Sequence, residues 1–246
     1  MKISAIFSDY DGTLAPEDVA LDASRVPKEI EEPLLGLSSS VSVAIVTSKD
    51  YAFVRPRIPF AAAWACVSGL EIVLSDGRTF ATSRMADRLR EGLNYVKRHN
   101  ESGLTLELKR STANDLLAFS VHWRGKSPPT ELIAKATVDL SGIGLTVVHD
   151  PTQPFLDVFG GRPDKGRAVR ELKTLLGVSG NVLFIGDSAA DNAAFDEADV
   201  SICVAHGQGL EGVRCRYTLG RERLGPFLSS LSANGLSLDL HTLSRL

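Results

Sequence analysis

Ile3-Ser4-Ala5-Ile6-Phe7-Ser8-Asp9-Tyr10-Asp11-Gly12-Thr13-Leu14 is an apolar run that stops against two aspartates two positions apart. Short runs with little polar alternation suit strands buried on both faces, the kind found in parallel sheets. Asp9 and Asp11 then stand at the carboxyl end of that strand, the edge of an open α/β sheet where ligands bind. Two residues apart on extended backbone, their carboxylates project to one side and can face one reacting group. Gly12 lets the backbone turn immediately afterwards. One carboxylate could attack phosphorus while the other protonates the leaving oxygen and later activates water. Alone, the same residues could equally close a strand with an Asx-type turn.

Working outward, further β-branched apolar runs occur at Val41–Val46, Trp64–Ser68, Val182–Ile185 and Val200–Val204, with helical patterns at Pro27–Leu37 and Gly166–Leu176 between them. Strands alternating with helices predict βαβ units, hence a doubly wound α/β core. The middle differs. It reads as a helix near Ala86–Asn100, strands near Leu104–Lys109 and Leu116–Trp123, a helix near Pro129–Leu140, and strands near Leu145–His149 and Phe155–Phe159. That order predicts an inserted α+β unit over residues 78–156, with the core made from 1–77 and 157–246. Ser75-Asp76-Gly77 and Gly160-Gly161-Arg162-Pro163 have the turn chemistry of hinges, and Glu222–Leu231 reads as a last helix closed by Asn234-Gly235.

Three more strand ends carry polar groups. Gly186-Asp187-Ser188-Ala189-Ala190-Asp191-Asn192 follows Val182–Ile185 and brings carboxylates to the same edge. Mg²⁺ takes oxygen ligands, typically one or two carboxylates with waters and substrate oxygens, and Asp9, the Asp11 carbonyl and Asp187 could supply them. Asp187 could instead simply cap a helix. Asp191, four residues on, could hold a metal-bound water or orient Lys165. Thr47-Ser48 follows Val41–Val46, where hydroxyl and N–H groups at a helix start can bind phosphoryl oxygens. Lys165 opens a helix beside the Gly-Gly-Arg-Pro hinge and could reach the same anion, with Arg162 beside it as a further substrate contact.

With 246 residues, 43% apolar and 23% charged, composition is that of a globular protein, with no disordered or fibrous bias. A formal charge of −3 without a basic run argues against a nucleic-acid partner. No stretch approaches membrane-spanning length, and Asp9 and Asp11 interrupt the first apolar run too early for a signal peptide. Cys66, Cys203 and Cys215 fit neither a disulfide framework nor a metal spacing, so the expectation is reduced thiols in the cytoplasm. Asn100-Glu101-Ser102 matches a glycosylation sequon that such a location leaves idle. Gly207-Gln208-Gly209-Leu210-Glu211-Gly212 fits a dinucleotide fingerprint but lacks the downstream acidic residue and βαβ unit, so a turn near the active edge is expected. Lys109-Arg110 and His122-Trp123-Arg124 read as the solvated end of a hairpin with a packing tryptophan, or else as cations and an aromatic plate facing the cleft.

The four strand ends together resemble the haloacid dehalogenase superfamily of phosphatases. DYDGT at 9–13 is similar to its first motif, Thr47 to its second, Lys165 to its third and Gly186-Asp187 through Asp191 to its fourth, in family order. The resemblance implies a Rossmann-like core with a cap inserted between the second and third motifs. The branch it resembles holds trehalose-phosphate, sucrose-phosphate and mannosyl-3-phosphoglycerate phosphatases. It also implies roles: Asp9 as nucleophile, Asp11 as acid/base, Thr47, Ser48, Gly12 and Lys165 around phosphate, and Mg²⁺ on Asp9, Asp11 and Asp187, with Asp191 behind them. Thr47-Ser48-Lys49 departs from the Thr-Gly-Arg of trehalose-phosphate enzymes toward the mannosyl group, and no Glu-Xaa-Arg-Pro run precedes Lys165. The expected substrate is therefore a small phosphorylated sugar or sugar acid. A sugar phosphomutase, a phosphoglycolate phosphatase and a non-catalytic regulatory protein of the same fold are the alternatives.

Overall fold

A computed structural model describes residues 1–246 except 18, 20, 21, 82–84, 100–103, 152, 207–209, 241, 242 and 246. The sequon at 100–102 and Gly207-Gln208-Gly209 thus fall outside the described residues.

The large sheet is built on β1 (Ile3–Ser8), flanked by β10 (Asn181–Gly186) and β2 (Ser42–Val46) in parallel. Outward lie β11 (Val200–Ala205) and β12 (Tyr217–Gly220) on one side and β3 (Ala63–Cys66) on the other, all parallel, with β13 (Ser244–Arg245) and β4 (Glu71–Leu74) antiparallel at the margins and β5 (Thr79–Ala81) beyond β4. Alternate residues of β1 enter separate cores. Ile6 joins the layer under α1 (Lys28–Ser38) and α7 (Leu224–Ala233), while Ala5 and Phe7 join that under α5 (Lys165–Leu175) and α6 (Asn192–Glu197). Burial on both faces is the reason these strands read as continuous apolar runs. α1 and α7 approach closely at Gly225, where a Cβ would lie 2.3 Å from the Glu29 carbonyl oxygen.

A second, wholly antiparallel sheet has the order β6 (Thr105–Arg110), β7 (Leu116–His122), β9 (Phe155–Phe159), β8 (Thr146–His149). Phe119, Val121, Leu156 and Val158 turn one face to Leu89, Leu93 and Val96 of α3 (Ala86–Arg98) and Leu132, Ala136 and Leu140 of α4 (Thr130–Gly142). Period-2 geometry sends Glu107, Lys109, Ser120, His122 and Asp157 to the other face, toward the large sheet. The molecule is thus a mostly parallel α/β core carrying a separate antiparallel cap sheet.

The chain leaves each sheet a few residues later than expected. Ser75-Asp76-Gly77 is a hairpin turn inside the large sheet, with Gly77 at φ +89° and its N–H donating to Leu74 O at 3.0 Å, rather than a hinge to the cap. β5 therefore still belongs to the core, and β9 belongs wholly to the cap. The expected strand over Trp64–Ser68 stops at Cys66, because Val67 (φ +48°), Ser68 (φ +53°) and Gly69 (φ +87°) reverse the chain into β4.

Candidate active site

Three strand ends of the core, after β1, β2 and β10, converge with the start of α5. Asp9, just past β1, has its N–H held by Ile185 O at 2.9 Å and is almost fully buried. Lys165, first residue of α5, reaches Asp9 Oδ1 at 3.1 Å and Asp191 Oδ1 at 2.7 Å. Asp164 caps that helix by accepting from Arg167 N at 2.9 Å, which fixes where Lys165 enters. Beyond β10, Asp191 closes a short 3₁₀ turn, its Oδ2 accepting from Asp187 N at 3.0 Å and Ser188 N at 3.4 Å. Gly186 is bare where a Cβ would sit 2.5 Å from Asp191 Oδ2. Gly12, at φ +72°, lies against Asp187, and Thr13 Oγ1 donates to Asp187 Oδ1 at 3.3 Å.

Thr47 is fully buried after β2, its Oγ1 accepting from Lys49 N at 3.1 Å and its hydroxyl hydrogen left to donate. The sequence placed Thr47-Ser48 at a helix start. The helix, α2 (Tyr51–Val54), begins later, on Asp50, whose side chain accepts from Phe53 N at 3.0 Å. Thr47 and Ser48 thus occupy the bend before it, and with one turn of helix any anion there would rely on hydroxyls and loop N–H groups. Ser48, Arg162, Asp9, Asp11, Lys165 and Asp187 border one cavity of about 480 Å³, with Arg162 exposed at its rim.

No family model matches the chain. It is 27% identical over 232 residues to an uncharacterized glycosyl hydrolase of Mycobacterium tuberculosis, a match taking in 83% of this chain but only 16% of that protein. The chain therefore spans a small fraction of the length of the curated relatives it matches. Among solved structures it superposes on a trehalose-6-phosphate phosphatase related protein with a TM-score of 0.73 at 18% identity, covering 94% of this chain and 98% of that one. The C-terminal domain of C. albicans trehalose-6-phosphate phosphatase gives 0.73 at 14% identity, covering 94% and 92%. A subclass IIB sugar phosphatase gives 0.66 at 13% identity, covering 95% and 100%. The fold is that of haloacid dehalogenase phosphatases of subclass IIB. At these identities the shared property is architecture.

Within this fold, buried Asp9 and Asp191 and half-buried Asp187 offer carboxylate oxygens within 4.8 Å of one another, a group that could hold a metal ion. Burial pushes the Asp9 carboxyl well above its usual range against the pull of Lys165, with Asp191, Asp187 and Asp11 adding to the rise. Burial, then Asp191, lifts Asp187 to about 7. Burial alone would lower the Lys165 ammonium, but Asp191 and Asp9 hold it above its ordinary value. Of the three carboxylates, Asp9 and Asp191 pair with the Lys165 ammonium while Asp187 has, among the described residues, only His206 Nε2 as a basic partner, at 4.0 Å, so a cation fits the charge, and an oxygen-only donor set suits a hard divalent ion. Asp191 differs from the other two in that Lys165 and two backbone N–H groups already engage both its oxygens. Burial also raises Asp11, partly offset by Lys49.

The cap sheet contributes what the sequence left open. A second cavity, about 450 Å³, opens from Asp11 and Ser48 onto the cap face, lined by Glu107, Lys109, His122 and Arg124 among others. Lys109, 2% exposed, pairs with Asp157 at 3.0 Å, and Ser120 hydrogen-bonds the same carboxylate. Lys49 of the core pairs with Glu107 of the cap at 3.0 Å, and His122 Nε2 lies 3.0 Å from the other Glu107 oxygen. The hairpin-end reading of Lys109 and His122-Trp123-Arg124 is therefore replaced by the cleft-facing one, with Trp123 itself packed in the cap core. Arg110 does sit at the hairpin end, where its N–H donates to Asp50 Oδ2 at 3.0 Å. Glu107 and Asp157 escaped sequence reading, because alternating charges on a strand look the same whether they face solvent or a cleft, and Lys49 is read only within Thr47-Ser48-Lys49, without its cap partner.

Proposed function

We propose that this protein is a Mg²⁺-dependent phosphomonoesterase acting on a small phosphorylated sugar or sugar acid, with Asp9 as nucleophile and Asp11 as acid/base. The observation that carries the reading is the buried Asp9 carboxylate, 3.1 Å from Lys165, grouped with Asp187 at the sheet edge and opening with Asp11 on a cavity beneath the cap. Asp9 and Asp187, with the Asp11 carbonyl, would hold the ion. When bound, it would neutralise these carboxylates and offset charge on the transferring phosphoryl group.

In this reading an Asp9 oxygen attacks phosphorus in line, forming an aspartyl-phosphate as the bond to the leaving oxygen breaks. Lys165 and the Thr47 hydroxyl, with Ser48 beside it, offset the charge on the equatorial oxygens, and Arg162 contacts substrate from the rim. Asp11, whose carboxyl burial raises above its ordinary value, gives its proton to the departing alkoxide and then takes one from the water that cleaves the aspartyl-phosphate. The cavity running from Asp11 to Glu107, Lys109 and His122 would receive the sugar, its paired charges matching hydroxyl groups. The cap, from α3 through β9, closes over it and excludes water. The free thiols agree with the cytoplasm as its compartment.

A panel of phosphorylated disaccharides, mannosyl-3-phosphoglycerate, hexose phosphates and phosphoglycolate, assayed for phosphate release with and without Mg²⁺, tests this. One phosphorylated sugar or sugar acid should stand out, and only with Mg²⁺. No Mg²⁺-dependent release from any member would sink the proposal.

A further inference from the structure

Beyond the residues that surround Asp9, one side chain from the far end of the chain grips the nucleophile loop. Arg221 is the first residue past β12, whose carboxyl end lies on the same sheet edge as those of β1 and β10. Its Nη1 donates to Gly12 O at 2.9 Å and Thr13 O at 2.9 Å, and its Nη2 to Leu14 O at 3.3 Å. Three successive carbonyls therefore point at one guanidinium. They do so because the loop coils tightly, with Leu14 N and Ala15 N both donating to Tyr10 O, at 3.0 and 2.9 Å. That leaves a cluster of carbonyl dipoles with their negative ends together, as at a helix C-terminus. A planar fork of N–H donors answers such a cluster, whereas a lysine ammonium is a point charge on a flexible stem.

The grip falls on the segment that joins the nucleophile motif to the candidate metal ligand. Gly12 packs so closely on Asp187 that a Cβ there would sit 2.2 Å from Oδ2, and Thr13 Oγ1 donates to Oδ1 of the same carboxylate. Asp187 is tethered on its other side by Cys203 Sγ, which donates to its backbone oxygen at 3.3 Å. A loop free to move by a fraction of an ångström would shift Asp11 against Asp9 and loosen Asp187 together.

We propose that Arg221 is a positioning residue for the phosphoryl-transfer site: by holding the carbonyls of Gly12, Thr13 and Leu14, it fixes Asp11 and Asp187 relative to Asp9 without touching substrate. This rests on the phosphomonoesterase reading above. The tests are Arg221→Ala and Arg221→Lys in the full chain, read by steady-state phosphate release, by calorimetric titration with Mg²⁺, and by added guanidinium. Arg221→Ala should lower kcat by about tenfold or more, the scale expected when reacting groups lose alignment, with KM nearly unchanged. It should also bind Mg²⁺ more weakly, and guanidinium at low, non-denaturing concentration should restore part of kcat in this variant while leaving the parent unaffected. Arg221→Lys should fall between the two.

A folded Arg221→Ala protein with parental kcat and parental Mg²⁺ affinity would overturn the inference. So would a loss of kcat that guanidinium does not relieve and that leaves Mg²⁺ binding untouched. If the alanine variant does not fold, the lysine variant decides, and parental kcat and Mg²⁺ affinity in it overturn the inference equally. The parent protein separates the two layers: absence of both phosphate release and Mg²⁺ binding in the parent refutes the functional reading and this inference with it, whereas an active parent with unaffected variants refutes Arg221 alone.

Discussion

Gly12 combines two requirements that no other residue meets: a left-handed backbone at φ +72° and no side chain where Asp187 Oδ2 lies 2.2 Å from an ideal Cβ. Gly12→Ala should cost about 1–3 kcal/mol from the backbone alone, seen as a lower denaturation midpoint, and should weaken Mg²⁺ binding because Asp187 must retreat. Glu107 gives a pH signature. Burial would raise its carboxyl, but the His122 hydrogen bond and the charges of Lys49 and Lys109 outweigh burial and hold it at about 2, below the ordinary 4.5. A depressed carboxylate contributes stability that is complete above the unfolded value and is lost as pH falls through the folded one. The parent should therefore lose stability faster than Glu107→Gln between pH 4.5 and 2 in pH-resolved melting curves. Equal slopes would show that Glu107 is not held in this way. The positions of Asp9, Asp11 and Asp187 at the sheet edge were legible in the sequence because each follows an apolar run, and that of Lys165 because it opens a helix after a hinge. Lys49, Glu107 and Arg221 were not, since their partners lie 58 and about 208 residues away and nothing local marks them.

At the level of elements, the β6–β7 hairpin is the cap's foothold on the core. Its turn presents the Thr112 N–H and hydroxyl to Glu71 Oε1 at 2.9 and 2.8 Å, and the Arg110 N–H to Asp50. Glu71 is 1% exposed, and its other oxygen has no hydrogen-bond partner among the described residues, so Thr112 gives it most of its compensation. Thr112→Val should cost about 1–3 kcal/mol, the penalty for stripping a partner from a buried charged acceptor, measured by denaturant unfolding. A neutral result would mean that water already serves Glu71. The central strands and their helices were readable because each is an uninterrupted apolar or amphipathic run. β4 and β5 were not, because non-glycine residues Val67 and Ser68 take the left-handed turn between β3 and β4, a choice that tertiary packing imposes and composition does not announce. β12 and β13 are four and two residues long, too short for periodicity to register.

Across the whole molecule, core and cap are joined around a site whose carboxylates are incompletely neutralised by protein. Adding Mg²⁺ should therefore raise the melting temperature, since a ligand that binds only the folded state stabilises it by mass action, and Asp187→Asn should abolish most of that rise. Division into a core and an inserted cap was visible in the switch from parallel-type to locally paired strands, while its edges were not. β5 continues the core sheet past Ser75-Asp76-Gly77, which reads as a hinge, whereas β9 ends just before Gly160-Gly161-Arg162-Pro163. The charges that line the cap side of the cleft meet their partners only after folding, Lys49 with Glu107 and Lys109 with Asp157. The most direct test of the account is Asp9→Asn, assayed for Mg²⁺-dependent phosphate release on the best substrate of the panel alongside a melting curve. The account predicts a fall of about 10³-fold or more with the fold retained. A well-folded Asp9→Asn protein turning over at close to the parental rate would contradict it.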